Sequence, residues 1–249
     1  YNPFSLLNAF DSMEIGNYWF ETGTPSYLVE LMQDQDMKLW NITKKLVSSD
    51  VLNSVDIATT EPISVIFQSG YLTIKGYKNE YDGYLLGFPN EEVKRGFLRY
   101  LIPRYTSVRP SDTAFEIESF VEEVRGGDIS GFMKRLKSFF ANTPYDLIKD
   151  TENHYQNVLF ILCNLCGLYT KAEFHTSNGR VDMTIETPDY VYVFEFKYNG
   201  TAEEAMSQIK EKNYAQPFFA SGKKIALIGA NFSGVTRNID EYKMEWMGS

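Results

Sequence analysis

Asp182, Glu195 and Lys197 are the residues of this 249-residue chain whose types and spacing could do chemistry together. Residues 180–187 and 190–198 alternate or run apolar, with many β-branched and aromatic side chains, and Thr187-Pro188-Asp189-Tyr190 between them reads as a type I turn. The pattern predicts a β-hairpin. In an antiparallel hairpin the numbers of directly paired residues keep a constant sum. A turn centred on Pro188 and Asp189 therefore makes Asp182 and Glu195 partners, with Cβ atoms roughly 5 Å apart unless a bulge shifts the register. Lys197 follows Glu195 by two residues and so shares its face. The reverse face carries Val181, Met183 and Ile185 with Tyr192, Phe194 and Phe196, and is read as core. Two carboxylates at that distance raise one another's pKa unless a hard divalent cation such as Mg²⁺ sits between them and converts repulsion into coordination. A lysine alongside can orient a water or stabilise charge on a phosphate. The chemistry implied is metal-assisted phosphodiester hydrolysis.

The elements that must hold these residues can be read around them. From Glu152 to Cys166, Tyr155, Val158, Leu159, Leu162, Leu165 and Cys166 recur at three- and four-residue steps and Gly167 supplies a stop, which predicts an amphipathic helix. Lys171 to Thr176 reads as a strand and Thr201 to Ala215 as a second helix. Lys224 to Gly229 reads as a buried strand, and a last strand is expected near Lys243 to Met247. The predicted order is αβββαβ.

This constellation resembles the PD-(D/E)xK nuclease superfamily, with Val181-Asp182 where the first motif usually reads Pro-Asp. Asp182, Glu195 and Lys197 match the three motif positions. The resemblance implies a restriction-endonuclease-like core in a mixed α/β chain. It also implies Mg²⁺ (or Mn²⁺) held by Asp182, Glu195 and the backbone carbonyl of Phe196, and a Lys197 that positions the attacking water. An acidic residue on the first helix often joins such sites, and Glu152 fits; it also fits a first-turn acid favoured by the helix dipole. Gln208 fits the polar position on the helix after the ExK strand, or a solvated helical glutamine. DNA is the substrate expected, with RNA open. A catalytically silent module of the same fold, serving nucleic-acid or protein interaction, is the alternative.

Composition bounds these readings. The chain is 43% apolar and 15% aromatic, ample for a packed core. Neither a run of eighteen apolar residues nor a signal-peptide pattern occurs, so the expectation is a cytoplasmic protein without a membrane segment. Cys163 and Cys166 are spaced as C-x-x-C, but their helix is apolar and no second ligand pair exists, so buried reduced thiols are expected. His154 and His175 are read as structural or surface residues. The net charge is −9, with 15 basic against 21 acidic residues up to position 150 and 9 against 12 beyond it. Neither half is a nonspecific polyanion binder, because phosphate affinity comes from Lys and Arg. A local groove lined by Lys171, Arg180, Lys197, Lys210 and Lys212 is the place left for phosphate.

Residues 1–145 have a different texture and are read as a separate, mostly helical, winged-helix-like subdomain, with 146–249 as the nuclease-like domain. Short helices are expected at Ser5–Phe10 and Tyr27–Met32, the latter with Pro25 in its first turn and Ser26 or Thr24 as cap. A helix ending near Gly70 and a strand pair closed around Asn79 to Gly83 should follow. Further helices are expected at Asn90 to Arg104, capped by Asn90 and ended by Pro103, at Ala114 to Val124, and at Asp128 to Ala141 with Asp128 as cap. The stretches Asn2-Pro3-Phe4-Ser5, Tyr18 to Pro25, Gln68 to Ile74 and Phe88 to Val93 resemble the C-terminal portion of bacterial AAA-ATPase-like proteins fused to a PD-(D/E)xK domain. That resemblance implies an N-terminal ATPase domain as partner. The chain begins at Tyr1 without Met and reads as a fragment. It lacks a G-x-x-x-x-G-K-[ST] phosphate loop, so no ATP site is expected within it.

Overall fold

The computed structural model describes residues 3–13, 26–35, 37–53, 61–106, 108–141, 151–167, 171–177 and 180–247. The chain divides into two compact units, Tyr1–Leu101 and Ile102–Ser249. The first carries helices α1 (Pro3–Ser12), α2 (Ser26–Asp34), α3 (Ser49–Leu52) and α4 (Pro62–Gln68). Its small antiparallel sheet has the order β1-β3-β2, built from β1 (Leu46–Val47), β2 (Thr73–Lys78) and β3 (Gly83–Gly87). Gly70, at φ 79, lets the Tyr71 N–H fold back onto the Ile66 carbonyl at 3.1 Å and ends α4 where the sequence predicts. Asp82 at φ 45 makes the corresponding left-handed turn between β2 and β3. Pro25, Thr24 and the Tyr18-Trp19 stretch lie outside the described residues.

Helix α5 (Glu91–Tyr105) starts as expected, with the Val93 N–H donating to Asn90 Oδ1 at 2.9 Å. It does not stop at Pro103. The proline lies inside the helix, and the helix closes where the Thr106 hydroxyl donates to the Ile102 carbonyl at 2.8 Å. Proline here removes one N–H from the last turn, and the helix continues only two residues past it.

The second unit holds α6 (Thr113–Gly126), α7 (Ile129–Ala141) and α8 (Thr151–Cys166). The strands β4 (Lys171–Ser177), β5 (Arg180–Glu186) and β6 (Tyr190–Tyr198) follow, then α9 (Ala202–Glu211), β7 (Lys224–Ser233) and β8 (Asn238–Trp246). The five-stranded sheet has the order β4-β5-β6-β7-β8. Only the β6–β7 pair is parallel, which requires a crossover, and α9 supplies it. The predicted αβββαβ order is present.

One face of this sheet packs on α6, α7 and α8. Phe194 meets Phe132 at 5.4 Å between ring centroids, Phe232 stacks on Tyr155 at 4.4 Å, and the Tyr192 hydroxyl donates to the Val124 carbonyl at 2.7 Å. Asp128 caps α7 by accepting from the Gly131 N–H at 2.8 Å, and Arg135 on α7 pairs with Glu116 and Glu123 on α6. These contacts place α6 and α7 in the same compact unit as the sheet, which begins at Ile102 rather than at the 145/146 boundary expected from sequence. Both helices have apolar faces, and the sheet offers the apolar surface that covers them.

The other face packs on α9. Val191, Val193, Ile225 and Leu227 form a buried cluster with Met206, Ile209 and Ala215. Gly229 permits the close approach, because a Cβ there would lie 2.6 Å from the Ala202 carbonyl oxygen and 2.7 Å from the Met206 nitrogen. Gly229→Ala is expected to cost about 1–3 kcal/mol in urea unfolding, and an unchanged midpoint would show that α9 shifts freely. Helix α9 is shorter than predicted. It ends at Glu211, and Asn213 at φ 54 turns the chain into a 3₁₀ segment, Gln216–Ser221. Strand β7 runs on to Ser233 because it pairs with β6 through Phe232 and with β8 through Ser233. Strand β8 begins five residues before the expected start, its mostly exposed, charge-rich pattern having no apolar run to mark it. No helix among the described residues is long and apolar enough to cross a membrane.

Candidate active site

The hairpin that carries the candidate residues closes as its sequence dictates. The Tyr190 N–H donates to Thr187 Oγ1 at 3.0 Å and the Thr187 N–H to the Tyr190 carbonyl at 2.9 Å. That turn sets the register, and Asp182 is the direct partner of Glu195. The next strand places His175 opposite Asp182, so His175, Asp182 and Glu195 occupy one row across β4, β5 and β6. His175 is exposed. The side chain of Asp182 lies outside the described residues; its backbone position is what the register fixes.

Glu195 departs from the sequence expectation. The face it shares with Lys197 is not open to solvent, because α9 lies across it and the Glu195 side chain is 0% exposed. The Lys197 ammonium donates to Glu195 Oε1 at 3.1 Å and to Gln208 Oε1 on α9. Gln208 in turn donates through Nε2 to the Tyr214 hydroxyl at 3.4 Å. The structure thus brings Glu195, Lys197 and Gln208 together and adds Tyr214, which no sequence signal distinguished from an ordinary core tyrosine.

Helix α9 is pinned where it begins. Thr201 and Glu204 form a reciprocal capping box, the Ala202 N–H donates to Glu241 Oε1 at 2.7 Å, and the Gly200 N–H donates to Asn231 Oδ1 at 2.8 Å. A carboxylate at a helix N-terminus is favoured by the exposed N–H groups and the dipole. Gln208 is therefore presented to Lys197 from an element whose position is fixed.

Glu152 sits in the first turn of α8 and accepts from Gln156 Nε2 at 3.1 Å. With Tyr155, Gln156, Phe196, Lys197 and Tyr198 it lines a pocket at the end of β6. It shares that pocket with Lys197, while its described hydrogen bond goes to Gln156. The Phe196 side chain is buried beside Phe194 and Phe232, which leaves its backbone as the part able to face a ligand. Among the described residues, no three His, Cys, Asp or Glu side chains are gathered to hold a metal.

Charge around the site is largely internally matched. Lys210 pairs with Glu245 at 2.7 Å, Lys243 pairs with Glu203, and Lys212 is exposed. The side chains of Lys171 and Arg180 lie outside the described residues. His154 is buried against Tyr105, Phe140 and Tyr155, and burial pushes it down to about 4. Cys163 and Cys166 are buried thiols outside any disulfide, and burial, with the Glu123 charge second, pushes the Cys166 thiol up to about 12. Such a thiol is inert at neutral pH.

Residues 150–242 match the family model of the PD-(D/E)XK nuclease superfamily. The mixed α/β architecture of the chain is consistent with the restriction-endonuclease-like fold of that superfamily. The chain is also 32% identical over 257 residues to a protein of Azotobacter chroococcum mcd 1 described as an uncharacterized protein in the vnfD 5′ region. That match takes in 100% of this chain and 50% of the relative, so the chain spans about half the length of the curated relative it matches. No solved structure matches the chain.

Proposed function

We propose that the matched segment is a divalent-cation-dependent nuclease domain that hydrolyses DNA phosphodiester bonds in the cytoplasm. The observation that carries this reading is the register that sets Asp182 opposite Glu195, with Lys197 bonded to Glu195 on the same face. The donor set fits a hard cation: a wholly buried carboxylate and a second carboxylate at the paired position are oxygen ligands of the kind Mg²⁺ or Mn²⁺ takes. Asp182, Glu195 and the Phe196 carbonyl would hold it. When bound, the cation supplies positive charge against the phosphate oxygens of the transition state.

The chain's own residues do the rest. Lys197, held between Glu195 and Gln208, orients a water toward the phosphorus and keeps its ammonium beside the developing charge. Gln208 fixes the direction of that ammonium. Glu152 adds a carboxylate to the pocket that Lys197 shares and supports the water or a second ion.

Asp182→Asn tests the reading, since it keeps size and removes one ligand charge. Cleavage of linear DNA with Mn²⁺ is expected to fall about a thousandfold, the rate equivalent of several kcal/mol of lost charge stabilisation, and calorimetric Mn²⁺ binding should fall with it. Cleavage that survives the change would overturn the assignment.

One observation favours a second reading, the catalytically silent module. The cations near α9 are paired with glutamates and the chain carries −9 overall, which leaves little free positive charge for phosphate. In that case wild-type protein binds Mn²⁺ weakly or not at all and cuts nothing. In either reading the residues ahead of Ile102 connect the sheet-bearing unit to an ATPase in a longer chain, the resemblance of those residues and the doubled length of the relative being the support.

A further inference from the structure

We propose that Tyr214 is a positioning residue of this site, fixing the amide of Gln208 that holds Lys197. The inference rests on the nuclease reading for its kinetic arm and on geometry for the rest.

A lysine ammonium has donors and no acceptor, so the Gln208 atom that faces Lys197 is Oε1. That choice turns Nε2 the other way, toward the Tyr214 hydroxyl at 3.4 Å. The ammonium sets which end of the amide faces it, and the phenolic oxygen, accepting from Nε2, tethers the opposite end. Without that tether the amide is held at one end only, and it can swing its oxygen out of line with the ammonium. Lys197 would then lose one of the two acceptors that aim it.

Tyr214 is itself held by rigid parts. Its ring packs, with Phe218, on the cluster formed by Val191, Val193, Met206 and Ile209. Its N–H donates to the Ile209 carbonyl at 3.2 Å, just after Asn213 turns the chain at φ 54. A side chain placed by core packing and a helix end can impose its geometry on a neighbour. Glu195, Lys197, Gln208 and Tyr214 thus form one chain of contacts running from the buried carboxylate to the end of α9.

The test is Tyr214→Phe, which keeps the ring and removes the acceptor. By NMR the Gln208 side-chain amide protons are expected to exchange with solvent about tenfold faster. With Mn²⁺ and linear DNA, kcat should fall about 10- to 100-fold with KM unchanged, the usual size for loss of an orienting partner. Adding Gln208→Glu should restore part of kcat, because a carboxylate offers Lys197 an acceptor whichever way it turns. Unchanged amide exchange overturns the proposal. So does a raised KM at unchanged kcat, which would make Tyr214 a substrate contact. Faster exchange in a protein whose wild type cuts no DNA would sustain the positioning role and sink the nuclease reading instead.

Discussion

Lys197→Met is expected to lower the unfolding free energy by about 3–5 kcal/mol and to abolish metal-dependent cleavage. The size follows from burial. Glu195 is 0% exposed and the Lys197 ammonium, 3.1 Å from its Oε1, is the described cation beside it. Taking the cation away leaves a carboxylate in a low-dielectric site, where the desolvation cost of its charge is no longer offset. On an open face the same replacement would cost little, since an exposed ion pair contributes about 0–1 kcal/mol. Urea unfolding of wild type, Lys197→Met, Glu195→Gln and the double variant separates the two cases. In the Glu195→Gln background Lys197→Met should cost less than half as much, because the charge it compensates is gone. Equal costs in both backgrounds would show that the ammonium does not stabilise Glu195. Lys197→Arg keeps a cation but replaces a point donor by a rigid fork, so it should keep most of the stability and lose cleavage.

Below pH 6.5 the protein is expected to lose about 3 kcal/mol of stability through His154. The imidazole is buried in the first turns of α8, stacked on Tyr105 and edge-on to Phe140 and Tyr155, and burial pushes it down to about 4 from 6.5. Among the described residues its Nε2 has no hydrogen-bond partner. The unfolded chain takes up the proton near pH 6.5, whereas the folded one resists until about pH 4. Stability is therefore fully present above 6.5 and is lost as pH falls toward 4, at up to 1.36 kcal/mol per unit. His154→Phe keeps a ring among the aromatics and removes the proton. Unfolding free energies at pH 7 and pH 4 should show a loss about 3 kcal/mol smaller in the variant than in wild type. The same loss in both would remove His154 from the account.

The hairpin and its register were legible because the information is local. Thr187, Pro188, Asp189 and Tyr190 specify the turn, and alternation along each arm specifies which residues face together. Gln208 was picked out only by the resemblance, which implies a polar residue on the helix after the ExK strand. The burial of Glu195 was not drawn from the sequence, although Val191 to Phe196 is apolar at both parities except for Glu195, the pattern of a strand covered on two faces. The end of α9 was not legible, because a non-glycine residue, Asn213, makes the left-handed turn there, whereas Gly70 marked the end of α4 in the sequence.

What the sequence determined by itself is therefore the set of local choices: the turn, the pairing of Asp182 with Glu195, the face of Lys197 and the order of elements. Tertiary structure decided what covers them. It placed α9 over Glu195 through Gly229, joined α6 and α7 to the sheet, and set Tyr214 against Gln208. The reason is physical. Turn geometry and strand alternation act over a few residues and are written in them. Burial, charge compensation and the facing of one side chain by another depend on surfaces that meet only when distant segments pack.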